Sequence, residues 1–260
     1  MKLKSKLLLA LLAVSGVAFA DETAPQDSLS YNVGVVSQYR YRGLAQSRGM
    51  PALQGGADFA AANGFYVGTW ASTIKWIQDS SNSTATVKGP VELDIYGGYK
   101  FEAAGVAYDV GVLQYEYLGN NLADTKAAHS PNTSEVYGAA TLGVVTAKYS
   151  YSLTDLFGQI SSVGKGSAGS YYLDLSATFD LGNGYTFVPH AGRQQVKNVS
   201  DNSYTDYALT VNKDFGNGLS ASLSAIAVTA DKTPGSAFYS TANNYSTAKG
   251  TLVAGVKYAF

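Results

Sequence analysis

Few residues in this chain are equipped for covalent chemistry. The sequence has no cysteine, which removes thiol nucleophiles and every thiolate metal site. Its two histidines, His129 and His190, stand too far apart to offer metal-ligand spacing. Serines abound, so a Ser–His pair for acyl hydrolysis around His190 is conceivable, but no nucleophile elbow accompanies it. Gly164 to Gly169 spell G-x-G-x-x-G without a preceding strand or a following helix, and read as a flexible loop. The glycosylation patterns at Asn82 and Asn132 are of the kind that polar loops produce often. The chemistry on offer is electrostatic. Arg40 and Arg42, Asp58, Glu92 with Asp94 and Lys100, Glu135, Lys148, Asp174 with Asp180, Asp206 with Asp214, and Lys257 sit in alternating segments. Spacings of two put such charges on one face of a strand. No cofactor and no metal is expected, and the chain does not read as an enzyme.

The elements that carry these charges are strands. From the end of the chain backwards, Phe260, Tyr258, Val256, Ala254 and Leu252 make an apolar face, while Ala259, Lys257, Gly255 and Thr251 make a small or polar one. The same period of two runs through Leu29–Tyr41, Ala52–Ala61, Phe65–Trp76, Val91–Phe101, Val106–Tyr117, Ser134–Leu142, Val145–Leu153, Tyr171–Leu181, Tyr185–Gln195, Tyr204–Phe215 and Leu219–Ala230. Pro189 counts against the strand over Tyr185–Gln195, because proline removes a ladder donor. Asn-Gly pairs at 63–64, 183–184 and 217–218 mark hairpins. With the closing strand, this gives about twelve strands. Short connections alternate with long polar ones, and both termini fall on the short-turn side.

Compartment follows from the start of the chain. Lys2, Lys4 and Lys6, an apolar run over Leu7–Val14 and Ala18-Phe19-Ala20 form a secretory signal peptide over residues 1–20. Removing those lysines from 18 basic residues leaves 15 against 19 acidic ones, a charge that argues against nucleic acid as a partner. The whole chain is rich in Gly (28), Tyr (20) and Phe (10), with only 14% charged residues. Alternating strands held between lipid and water need that balance. No stretch after the signal approaches the ~18 apolar residues of a transmembrane helix.

The expected architecture is all-β: a transmembrane antiparallel up-and-down β-barrel, with short periplasmic turns and long extracellular loops. Residues 21–28 form a short periplasmic segment and 29–260 the barrel. Tyr258 and Phe260 belong at the membrane interface, where the closing strand meets the barrel assembly machinery and outer-membrane lipid. The other faces line the lumen. Their charges make either an aqueous channel for ions or small polar solutes or a salt-bridged interior that only closes the barrel. In the second case the loops bind ligands or other surfaces. An enzyme using His190 and a secreted sugar-binding sandwich are the remaining alternatives.

One stretch resembles a known family. Tyr39-Arg40-Tyr41-Arg42-Gly43, Gln46-Ser47, Pro51 to Gly56 and Gly64 to Ser72 are similar to the opening of the TorF-family porins, the Gcw_chp proteins of proteobacteria. The resemblance implies an outer-membrane barrel of about this length and names no substrate. Within this stretch Arg40, Arg42 and Asp58 read as a structural or selectivity cluster near the outer mouth, with Trp70 either interfacial or packed inside.

Overall fold

The computed structural model describes residues 26–230 and 245–260. The expected signal peptide, and residues 231–244 of the last long loop, lie outside the described residues.

The chain lays down β1 (Ser28–Val36), a small hairpin of β2 (Arg40–Tyr41) and β3 (Leu44–Ala45), β4 (Ala52–Ala60) and β5 (Phe65–Thr73). A short helix, α1 (Trp76–Asp79), precedes β6 (Val91–Ala103), β7 (Val106–Leu118), β8 (Thr133–Leu142), β9 (Val145–Ser152) and β10 (Tyr171–Ala177). β11 (Phe179–Gly182), β12 (Tyr185–Gln195), β13 (Tyr204–Gly216), β14 (Leu219–Ala230) and β15 (Thr251–Ala259) follow.

Apart from the β2–β3 hairpin, these strands form one closed antiparallel ring. β1 pairs with β15 from Asn32↔Ala259 to Val36↔Gly255, so the ends of the chain seal the barrel. Beyond that register, Tyr31 and Phe260 exchange two backbone hydrogen bonds of 2.9 and 3.0 Å. β10 pairs with both β9 and β12, which closes the ring. Closure matters because hydrocarbon offers unpaired backbone no alternative partner.

Pro189 explains the one interruption. Pairing of β10 with β12 runs as far as Ser176↔His190, and β11 resumes it at Phe179↔Phe187 in the same register. The gap lies opposite Val188 and Pro189, where proline supplies no N–H. On its other side Thr178 still donates to the Val144 carbonyl at 2.8 Å. β10 and β11 are thus one stave, and the barrel has twelve. The strand over Tyr185–Gln195 forms despite its proline.

Side chains alternate as the sequence pattern requires. Leu29, Tyr31, Val33, Val35, Leu53, Phe59, Val67, Ile95, Val110, Leu173, Leu209 and Leu252 are exposed on the outside, while Glu92, Asp94, Glu135, Asp174 and Asp206 are buried within. So large an exposed apolar belt is solvated by lipid. At the short-turn end the belt finishes in paired rings: Phe65 tilted on Tyr99 at 4.7 Å, Phe101 stacked on Tyr108 at 5.1 Å, and Phe260 stacked against Tyr31 and Tyr258 at 5.8 and 5.9 Å. Tyr258 and Phe260 both point outward, and no described helix is long and apolar enough to cross a membrane.

Two strands stop earlier than their alternation suggests. β1 ends at Val36 rather than Tyr41. Ser37 N–H bonds the Ala254 carbonyl at 2.7 Å while its hydroxyl accepts Ala254 N–H at 3.0 Å, which uses up the ladder partner and releases the chain into the lumen. β5 ends at Thr73 rather than Trp76, because the Lys75 and Trp76 N–H groups both turn to the Gln46 carbonyl, at 2.8 and 3.0 Å. The long loops are not merely polar. Ile74, Ile77, Val87 and Leu122 come together with Tyr39, Trp70, Tyr115 and Tyr117 in a buried apolar cluster at the long-loop end.

Candidate functional site

Residues 37–51 connect the first two barrel strands, and their hairpin folds into the barrel mouth. Its turn is Arg42-Gly43, with φ of 45° and 79°. Glycine's freedom is needed at the second position, and also its lack of a side chain: a Cβ on Gly43 would stand 2.6 Å from Asp206 Cβ on β13 and 2.7 Å from a Val228 methyl on β14. The hairpin tip therefore rests against the far wall.

Arg42 locks it there. One guanidinium nitrogen donates to Glu135 Oε2 at 2.7 Å, and another donates to Glu135 Oε1 at 3.0 Å and Gln194 Oε1 at 2.9 Å. The guanidinium lies 4.4 Å from the Tyr172 ring centroid and 4.9 Å from that of Tyr41. Its side chain is 8% exposed and that of Glu135 only 2%. Tyr41 and Tyr115 share a hydroxyl–hydroxyl hydrogen bond, and Tyr115 donates to Glu135 at 3.2 Å. The forked guanidinium suits this task, since it can serve carboxylate, amide and ring faces together.

The base of the loop is fixed on the opposite side. Tyr39 donates its hydroxyl to Glu92 Oε1 at 2.7 Å and meets Trp70 edge-on at 5.3 Å. Burial pushes the Tyr39 phenol well above its usual range, with Glu92 adding to the effect, so it remains a proton donor. Ser47 Oγ accepts Tyr39 N–H at 2.9 Å and donates to the Met50 carbonyl at 2.6 Å, closing the loop on itself. Arg48 pairs with Asp79 at 2.7 Å. Arg40 does not lie on a barrel strand. It donates to the Gly43 and Thr247 carbonyls at 3.1 and 2.7 Å, which ties the first loop to the end of the last.

Below the loop, tyrosines lie over wall glycines. A Cβ at Gly68 would meet the Tyr96 ring at 2.5 Å, one at Gly98 the Tyr66 hydroxyl at 2.5 Å, and one at Gly111 the Tyr137 hydroxyl at 2.6 Å. These rings position charged partners. Tyr96 donates to Asp58, Tyr66 donates to Asp109 at 2.6 Å, Lys100 stands 4.7 Å from the Tyr66 ring centroid, and Lys148 stands 3.9 Å from that of Tyr137.

The expected trio of Arg40, Arg42 and Asp58 is not brought together. Asp58 lies three residues from the Ala61 turn, at the short-turn end, and its bond is to Tyr96. Lys257 and Lys100 stand within electrostatic reach of it. Asp180 and Asp214 are exposed at hairpin turns, where each accepts a glycine N–H at 2.8 Å. Trp70 packs inside and is 4% exposed. His190 faces inward, with Nε2 2.9 Å from Asp174 Oδ2 and 3.2 Å from the Tyr172 hydroxyl, and Nδ1 3.5 Å from Asp206 Oδ2. Its partners among the described contacts include no serine. His129 pairs with Asp155 at 2.6 Å between two loops. Among the described residues no three His, Asp or Glu side chains are grouped to hold a metal ion. Asp109 and the lumen tyrosines other than Tyr96 escaped the sequence reading. The alternation of β7 contained the signal, because Asp109, Tyr115 and Tyr117 share its inward face.

The profile of Gcw_chp, a bacterial protein of unknown function, matches residues 20–260. The chain belongs to the Gcw_chp family. Among curated proteins nothing matches it. Two solved structures resemble this Gcw_chp chain across nearly its whole length. The KdgM porin has a TM-score of 0.51 at 10% identity, over 89% of this chain and 99% of that one. The NanC porin has a TM-score of 0.53 at 10% identity, over 90% and 99%. A further structure holds the KdgM porin in complex with disordered oligogalacturonate, with a TM-score of 0.51 at 9% identity over 89% of this chain and 98% of that one. At such identities the likeness is one of fold: a transmembrane β-barrel.

Proposed function

We propose that this protein is a bacterial outer-membrane channel through which ions or small polar solutes pass passively. The signal peptide over residues 1–20 would carry it to the envelope, with the short turns in the periplasm and the long loops outside. The observation that carries the reading is the lumen. A closed barrel with a lipid-facing exterior encloses ionised and hydroxyl groups on nearly every strand, and such groups at membrane depth call for water. Arg42, Asp58, Glu92, Asp94, Lys100, Glu135, Lys148, Asp174, Asp206 and Lys257 would line the path. Arg40 would act through the loop it braces. Residues 37–51 would set the narrowest passage. The closing strand with Tyr258 and Phe260 is the segment that the barrel assembly machinery and outer-membrane lipid would meet.

A second reading is favoured by the apolar cluster at the mouth. A barrel sealed by its loops would be structural, and the loops would bind ligands. Planar-bilayer recording of the purified, folded protein separates the two readings. Discrete conductance steps support the channel, and a folded barrel that never conducts overturns it.

A further inference from the structure

The charges of the lumen are not evenly distributed. In the short-turn half, Asp58 and Asp109 are matched by Lys100 and Lys257, and the lysines lie within electrostatic reach of those carboxylates. The long-loop half is different. Glu92 and Asp94 are the second and fourth residues of β6, Glu135 the third of β8, Asp174 the fourth of β10, and Asp206 the third of β13. Facing these five carboxylates are Arg42, His190 and, from the middle of β9, Lys148. Arg42 is committed to Glu135, and His190 is shared by Asp174 and Asp206. Among the described residues no base is bonded to Glu92, which receives the Tyr39 hydroxyl.

Asp94 is the decisive residue. It is 6% exposed, and its Oδ1 is buried without a hydrogen-bond partner. The carboxylates of Glu92 and Glu135 stand within electrostatic reach of it. Asp174, 7% exposed, likewise has a buried Oδ1 with no partner; Asp58 Oδ2 in the short-turn half has none either, but that carboxylate has Lys100 and Lys257 within electrostatic reach. Buried carboxylate oxygens without donors are costly unless a cation or water meets them. A passing cation supplies what these two oxygens lack.

Resting on the channel reading, we infer that the long-loop half is a selectivity layer for small monovalent cations, with Asp94 and Asp174 as its stepping points. The described carboxylates and histidines do not converge into a chelating group of three, so a cation would be held at single points and released. Conduction needs that weak, multi-site binding. The KdgM porin structure that holds oligogalacturonate, a polyanion, makes a useful contrast. An acid-rich mouth would repel such a ligand.

The test is the reversal potential of single channels of the full-length folded protein in a KCl gradient, for the wild type, Asp94→Asn and Asp174→Asn. The wild type is expected to prefer K⁺ over Cl⁻. Asp94→Asn should lower that ratio by about 10-fold, since one unit charge at ~6 Å in a water-filled lumen attracts K⁺ by ~3-fold and repels Cl⁻ by ~3-fold. Should Asp94→Asn fail to reach the heat-modifiable folded form, Asp174→Asn carries the comparison, with the same direction expected. Anion preference in the wild type, or ratios unchanged in the folded variants, overturns the cation layer while leaving the channel intact. Folded protein without conductance overturns the channel reading itself, and the cation layer with it.

Discussion

Replacing Arg42 by methionine should free the first loop without unfolding the barrel. The wild-type arginine makes three hydrogen bonds to Glu135 and Gln194 and lies over two tyrosine rings. Without it, Glu135 stays buried with the Tyr115 hydroxyl at 3.2 Å as its remaining described donor. Breaking a buried ion pair by removing one partner costs ~3–5 kcal/mol, because the surviving charge is uncompensated. The barrel ladders do not pass through Arg42, so the cost falls on loop docking. A loss of ~3 kcal/mol raises the detached population by roughly 150-fold. Limited trypsinolysis reads this directly, since Arg48 sits in the same loop and is held by Asp79. Arg42→Met should be cut at Arg48 far faster than the wild type while remaining folded by heat-modifiable mobility. Arg42→Met combined with Glu135→Leu should recover much of the protection, because apolar replacement of a buried pair is often neutral. Residue 42 has φ 45° and stays a non-glycine in every arm, so backbone strain cancels. Cleavage of Arg42→Met at the wild-type rate would refute the reasoning. So would a double variant cut as fast as the single one.

Three other substitutions probe the same construction. Gly43→Ala should detach the loop as well, by its clash with Asp206 and Val228 and by ~1–2 kcal/mol of left-handed backbone strain, measured by the same trypsin assay. Gly192→Ala should displace Tyr172, whose hydroxyl occupies the space of the new Cβ, and break its 2.8 Å bond to Asp206. The expected loss is about 1–3 kcal/mol in urea unfolding followed by tryptophan fluorescence. Deleting Phe260 removes two ring contacts and both backbone bonds to Tyr31. It should lower the yield of folded protein in a refolding assay on lipid vesicles.

The barrel was legible because its rule is local: an alternation of two, read on each strand, fixes which face meets lipid, and the Asn-Gly pairs fix the hairpins. Pro189 looked like an objection only because the sequence does not say which neighbour a strand faces. Its missing donor meets the gap between β10 and β11. The loop was harder. Arg40 keeps the period of Leu29–Tyr41, so alternation extends the strand through it to Tyr41. Yet Ser37 ends the ladder by a side-chain bond to Ala254, more than two hundred residues away in sequence. Asp58 joined the expected trio through proximity in sequence, whereas depth along the barrel separates it. Of the residues that carry the family resemblance, Tyr39 to Gly43 with Gln46 and Ser47 shape and dock the inward loop, while Pro51 to Gly56 and Gly64 to Ser72 fall mostly on β4 and β5.

Single-channel conductance of the wild type beside a variant in which residues 38–50 are replaced by a short glycine linker, both folded and in the same bilayer, tests the channel most directly. Discrete steps are expected in both, with a larger step in the variant, because the first loop narrows a water-filled lumen. Equal steps would show that the loop does not narrow the path. Silence from both folded proteins would contradict the channel.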